Sequence, residues 1–284
     1  MSHGRLTGEF AAASDRCTAA FPPRVALHST RRTRERGDVS EHSDAEAPPA
    51  ASGGGDDDYR VVSHLALYAF QEAWWERPAD QRERDFRELV RRMRGAADVA
   101  WFYQVTPFEV DGDFLVWTSS HLVDSGTPAA FARSVAAALA PARGWLRTSD
   151  VRWGLTRPSQ YSRAKSQQEI DPFADERRTY LVIYPFTKTV DWYLLGRDSR
   201  QGMMNEHIRL GKQYREISQL LLYSFGLQDQ EFVVSYEMED LALFSDLVYE
   251  LRDTDARKFT QGDTPLHACV LADPGELAEL FSAT

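Results

Sequence analysis

Two consecutive stretches of the chain carry the same succession of hydrophobic patterns: strand, helix, strand, strand, helix, strand. In the first, Val61 to Phe70 reads as a buried strand. Residues 79–95 read as a helix, because Phe86, Leu89, Val90 and Met93 recur at three and four while Arg and Glu cover the other face. Val99 to Thr106 and Phe114 to Ser119 are rich in aromatic and β-branched residues. Between them lies Val110-Asp111-Gly112-Asp113, whose Asp-Gly predicts a tight hairpin. An Ala-rich helix over 127–140 and a strand over 146–155 complete the set. In the second stretch, Tyr180 to Tyr184 is a strand that Pro185 should stop. A helix follows over 199–214, then strands over 217–225 and 231–237 around Gly226-Leu227-Gln228-Asp229, a helix over 241–252 and a strand near 264–271. Two βαββαβ units in tandem predict two ferredoxin-like modules, 59–158 and 159–284, each a single antiparallel sheet with helices on one side. The bare sheet faces must be covered, most simply by each other. The expected fold class is therefore α+β, a barrel-like dimer of modules within one chain. The space between sheet and helices is a natural ligand site.

Residues 1–58 carry no such pattern. Gly, Pro, Ser and Ala dominate, Phe10 and Phe21 are the only aromatics, and the stretch ends in Gly53-Gly54-Gly55-Asp56-Asp57-Asp58. A segment of this kind buries too little to offset its ordering entropy, so a disordered, dispensable tail is expected. It lacks the apolar core of a secretory signal. Nowhere do 18 apolar residues run together, which argues against a membrane-spanning helix. The net charge of -10 argues against a nucleic-acid binder. Two cysteines, Cys17 and Cys269, supply neither a disulfide framework nor a zinc motif, and a reduced, cytoplasmic setting fits.

Among the histidines, His207 sits in the predicted helix 199–214 with Met203, Leu210, Gly211 and Tyr214 as helical neighbours. Spacing alone leaves two readings open, a core histidine bonded to the backbone or an axial ligand to haem iron. The surrounding motifs add to this. Tyr184-Pro185-Phe186-Thr187-Lys188 is followed by Trp192-Tyr193-Leu194-Leu195, then by Met203-Met204-Asn205-Glu206-His207-Ile208-Arg209-Leu210-Gly211. Ser224-Phe225-Gly226-Leu227-Gln228-Asp229, Leu251-Arg252-Asp253-Thr254-Asp255-Ala256-Arg257 and Asp263-Thr264-Pro265 come after it. In this order they resemble the chlorite dismutase superfamily, and within it the coproheme decarboxylases, hydrogen-peroxide-dependent haem synthases. The resemblance is dense from about 178 to 267.

The resemblance implies that coproheme is both substrate and redox centre and that haem b is the product. It implies His207 as the proximal iron ligand, Tyr184 as the radical-forming residue and Lys188 against a reacting propionate. It implies Asp255 as the acid supporting His207 from behind, although the family usually has glutamate there. Hydrogen peroxide is the implied oxidant and a ring of five subunits the implied assembly. The arginine that chlorite dismutases place thirteen residues after the proximal histidine is here Leu220. Gln219, Gln167 and Gln168 lie near the distal positions of the decarboxylases without matching them. Chlorite dismutation and a non-enzymatic haem carrier are the rival readings. A carrier would need His207 but neither Tyr184 nor Lys188. Trp101, Trp117, Trp145, Trp153 and Trp192 are expected in the core or at subunit contacts.

Overall fold

The computed structural model describes residues 61–161 and 166–283. The expected tail, 1–58, lies outside them. The first module comprises β1 (Val61–Phe70), α1 (Glu72–Trp75), α2 (Ala79–Arg94), β2 (Val99–Gln104), β3 (Phe114–His121), α3 (Thr127–Leu139) and β4 (Leu146–Leu155). The second comprises β5 (Tyr180–Lys188), α4 (Val190–Leu194), α5 (Arg197–Gly211), β6 (Ser218–Tyr223), β7 (Phe232–Met238), α6 (Leu241–Arg252), β8 (Thr260–Gly262) and β9 (His267–Leu271), followed by α7 (Pro274–Ser282). Strands run β4-β1-β3-β2 in one module and β9-β5-β7-β6 in the other, the same ferredoxin-like order. β6 also pairs β4, β2 pairs β9 and β5 pairs β7, so the pairings close on themselves.

Period-2 alternation divides the side chains between the inside of this ring and the helices. Leu65, Leu67 and Trp117 meet Leu181, Ile183 and Leu220 in one interior cluster drawn from both modules. The bare sheet faces thus cover each other, as the patterns predicted. Outside, Tyr68, Phe86, Phe131 and Val135 pack the first module's helices on its sheet. Val182, Val234, Tyr236, Phe244 and Leu247 form the corresponding cluster of the second.

Four expectations need correction. Asp111-Gly112 does not make a two-residue turn, because residues 105–113 form a longer loop between β2 and β3. Gly112 is needed for close approach instead, since a Cβ there would come within 2.7 Å of the Leu67 side chain. Pro185 does not stop β5. The β5–β9 ladder ends at Ile183 and β8 joins only at Thr187, so the missing N–H of Pro185 falls in an unpaired gap. α5 ends at Gly211, short of Tyr214, and the short α4 precedes it. Finally, α7 crosses back to the first module. Leu277 and Phe281 join that module's outer cluster, and the carbonyl of Phe281 accepts from Trp74 Nε1 at 3.2 Å.

Candidate functional site

The two modules differ on their helix sides. α2 buries Arg82, Phe86, Leu89, Val90 and Met93, whereas its counterpart α5 buries no residue. A helix of that length normally docks an apolar stripe on its sheet. Parity and packing place the candidate residues of β5 on its face toward α5.

Alternation along β5 sets what this face displays. Leu181 and Ile183 point into the ring, and Tyr180, Val182, Tyr184 and Phe186 pack on the helix side. Lys188 is half-buried with them, its Nζ 4.7 Å from the Trp192 ring centroid and 5.8 Å from that of Phe186. It donates to the Ala256 carbonyl at 3.2 Å and Thr260 Oγ1 at 3.3 Å. Burial, aided by Arg257, lowers its pKa to about 8. Tyr184 stacks on Tyr236 at 6.0 Å between centroids. Burial, and then the Tyr236 phenol, push its pKa well above the ordinary value, so it stands as a neutral phenol.

His207 reaches toward the same face from α5. It is half-buried as a residue, but Nδ1 is enclosed and has no hydrogen-bond partner among the described residues. Burial, and then the positive charge of Lys188, push its pKa down to about 4. The imidazole is thus neutral near pH 7, and Lys188 lies near enough for its charge to act on the ring. Tyr184 and Lys188 thus lie on the helix side of β5 with the Phe186 ring, and His207 stands on α5 within reach of the Lys188 charge.

Asp255 does not join them as expected. It opens a 3-10 turn (Asp255–Phe259) with its carboxylate on Lys258 Nζ at 2.7 Å, and makes no bond to His207 Nδ1. Its side chain is 62% exposed, and one methylene less than glutamate shortens its reach. Only its backbone N–H turns toward α5, meeting Glu206 Oε2 at 3.4 Å.

The distal candidates also move. Leu220 belongs to the ring interior, not to the helix side. Its neighbour Leu221 packs in the helix-side cluster, and Gln219 shares that parity. Gln168 is spent on structure, its Nε2 donating to the carbonyls of Tyr214 at 2.8 Å and Ile217 at 3.0 Å. Gln167 is exposed. Sequence reasoning missed Tyr236, whose only signal was its parity with Val234 on β7.

A neutral imidazole with an enclosed, unpartnered nitrogen, on the side of the sheet that also carries a phenol and an ammonium, has the donor chemistry to hold a metal-bearing ring with acidic arms. The fold defines a two-module α+β protein, with the candidate site on its second module. The chlorite dismutase family model matches residues 74–272. The chain belongs to that family. It is 31% identical over 172 residues to the coproheme decarboxylase of Mycolicibacterium smegmatis, covering 59% of this chain and 70% of that protein. It is 35% identical over 85 residues to that of Staphylococcus carnosus, covering 28% and 34%. A mutant chlorite dismutase from Candidatus Nitrospira defluvii superposes with a TM-score of 0.70 at 20% identity, over 78% of this chain and 96% of that one. The last shows a shared fold. Among the described residues no helix is long and apolar enough to cross a membrane.

Proposed function

We propose that the protein is a haem-binding oxidative decarboxylase that converts coproheme to haem b with hydrogen peroxide. The observation that carries the reading is the enclosed Nδ1 of His207 on α5, without a partner among the described residues, together with Tyr184 and Lys188 on the helix side of β5. The two matched relatives with decarboxylase names support the same substrate.

Each propionate that becomes a vinyl group loses carbon dioxide, one proton and two electrons, and each peroxide takes up two electrons and two protons to give water. The bound iron porphyrin supplies the redox chemistry through which peroxide's oxidising equivalents reach the protein. His207 would hold the iron through a neutral imidazole, needing no proton loss. Tyr184 gives up one electron and its phenolic proton, and the resulting neutral radical takes a hydrogen atom from the propionate β-carbon. The phenol is thereby restored, and loss of one further electron and carbon dioxide leaves the vinyl group. Tyr236, stacked beside it, keeps the ring in place. Lys188 pairs with the reacting carboxylate and fixes its position against the phenol.

Asp255 has a lesser part, its backbone N–H donating to the Glu206 carboxylate of α5 rather than its side chain supporting His207. The exposed aromatics Trp75, Phe108 and Tyr249 suit a subunit contact, and light scattering would test the five-subunit ring that the family resemblance implies. The decisive experiment adds coproheme to the purified chain, titrates peroxide and follows products by mass. Successive losses of 46 mass units, carbon dioxide with two hydrogens, are expected. Binding without such losses would instead favour the carrier reading.

A further inference from the structure

Arg200 stands on α5 seven residues before His207. Seven residues are close to two turns, so both side chains leave the same face of the helix, about 10 Å apart along its axis. The span from a porphyrin centre to the end of a propionate arm is of the same order. Arg200 Nε is buried and has no hydrogen-bond partner among the described residues. A guanidinium N–H left unpaired inside a protein is costly and calls for an acceptor.

Among the described residues, its neighbours do not provide one. The guanidinium is close enough to Tyr161 and Tyr193 to favour their phenolate forms, yet burial holds both phenols above their ordinary pKa. Tyr193 Oη donates to Glu231 Oε2 at 2.5 Å, and the same oxygen accepts from the Lys188 backbone N–H at 2.7 Å. Glu231 is thus committed to Tyr193 and β5. Trp192 links the two cations, since Lys188 lies over its ring and Tyr161 meets it edge-on at 6.5 Å. Lys188 and Arg200 therefore stand toward the same end of the ligand face.

We propose that Arg200 receives a carboxylate of the porphyrin substrate and acts as a specificity-determining residue at the Trp192 end of the site. The proposal rests on the reading of the His207 face as a porphyrin site. Nε–H and a terminal N–H of one guanidinium form a fork that matches a carboxylate, which a lysine cannot reproduce. Arg200 thereby selects porphyrins that carry acidic arms at that edge.

The test is an equilibrium titration of metal-free coproporphyrin III into the full chain, read by porphyrin fluorescence. Omitting the metal removes any bond to His207, so the measurement reports the ring and its carboxylates alone. Arg200→Gln should weaken binding by about tenfold, and Arg200→Lys by about threefold, as expected for losing a charge-assisted fork or only its geometry. Added salt should weaken the wild type more than Arg200→Gln. Melting temperatures check that each variant folds. If Arg200→Gln does not fold, Arg200→Lys decides, with a loss above twofold supporting the assignment. A wild-type chain that binds the porphyrin with both variants inside twofold of it would overturn the role of Arg200 alone. A wild-type chain that does not bind the porphyrin would overturn the underlying porphyrin site as well.

Discussion

In the proposed reaction Tyr184, Lys188 and His207 would act through different physical properties, so their substitutions should separate. Tyr184→Phe keeps the ring and its stacking on Tyr236 but removes the O–H that must be oxidised. Coproheme should still bind with a near-normal spectrum, while peroxide yields no vinyl product by mass. A comparable rate of haem b formation in that variant would discard the radical role. Lys188→Ala removes a charge-assisted contact worth about 1.5–3 kcal/mol. One decarboxylation should slow more than the other, so a three-propionate intermediate accumulates. His207→Ala should leave the helix intact, since alanine favours it, while the Soret band shifts and turnover is lost. An unchanged ferric spectrum would put the axial ligand elsewhere. Of these residues, Tyr184, Lys188 and His207 came from the resemblance to the family, and parity along β5 agrees in putting Tyr184 and Lys188 on one side of the strand. Asp255 was misplaced because no local pattern says where a side chain on a 3-10 turn will point. Leu220 was misplaced for a related reason. Counting from His207 crosses the turn between α5 and β6, and one residue of slip there reverses the face on a strand.

At the scale of elements, the strands and amphipathic helices were legible wherever side-chain period alone decides structure. β1, β4 and α6 have the bounds that their patterns predicted. Elements decided by tertiary partners were not. Pro185 is a strand breaker by local chemistry, yet β5 continues because its neighbour on one side has ended. α4 and α7 are too short to announce themselves by periodicity, and α7 owes its place to the first module's core. Glycines show the same dependence on partners. A Cβ on Gly154 of β4 would come within 2.7 Å of the Tyr223 carbonyl and of Ser224 Oγ, where β4 meets β6. Ser224 Oγ also donates to the Trp153 carbonyl at 2.6 Å, so neither neighbour is free to withdraw. Gly154→Ala should destabilise the fold by about 1–3 kcal/mol, the usual cost of overpacking. Chemical denaturation measures this, and an unchanged midpoint would mean that the seam yields more easily than its hydrogen bonds suggest.

Across the whole molecule, two seams join the modules, and both have short ladders. β4 pairs β6 only at Leu155 and Tyr223, and β2 pairs β9 at two positions. Side chains reinforce each seam. Gln228 brackets β4, accepting from the Trp153 N–H at 3.0 Å and donating to the Val151 carbonyl at 3.1 Å. At β9, His267 of the second module places Nδ1 2.9 Å from Glu109 Oε1 and Nε2 3.0 Å from Asp150 Oδ2 of the first. Both ring nitrogens face carboxylates, so both must donate, and the imidazolium is the form that satisfies them. Burial opposes that charge, but the bonds to Asp150 and Glu109 outweigh it and raise the His267 pKa. Arg152, 3.0 Å from Asp150 Oδ2, helps keep that acid ionised. A pKa raised on folding means that the native state holds the proton more tightly than the unfolded chain. The resulting stability is fully present below the unfolded value of about 6.5 and is lost as pH rises through the folded value. His267→Gln cannot carry the charge, so it should be less stable than the wild type at pH 5.5. The gap should narrow as pH rises, because only the wild type loses a proton at this position. Melting temperatures of the two proteins from pH 5.5 to 9, taken as a difference so that common titrations cancel, decide it. A gap that stays constant or widens with pH would show that His267 joins the modules as a neutral ring.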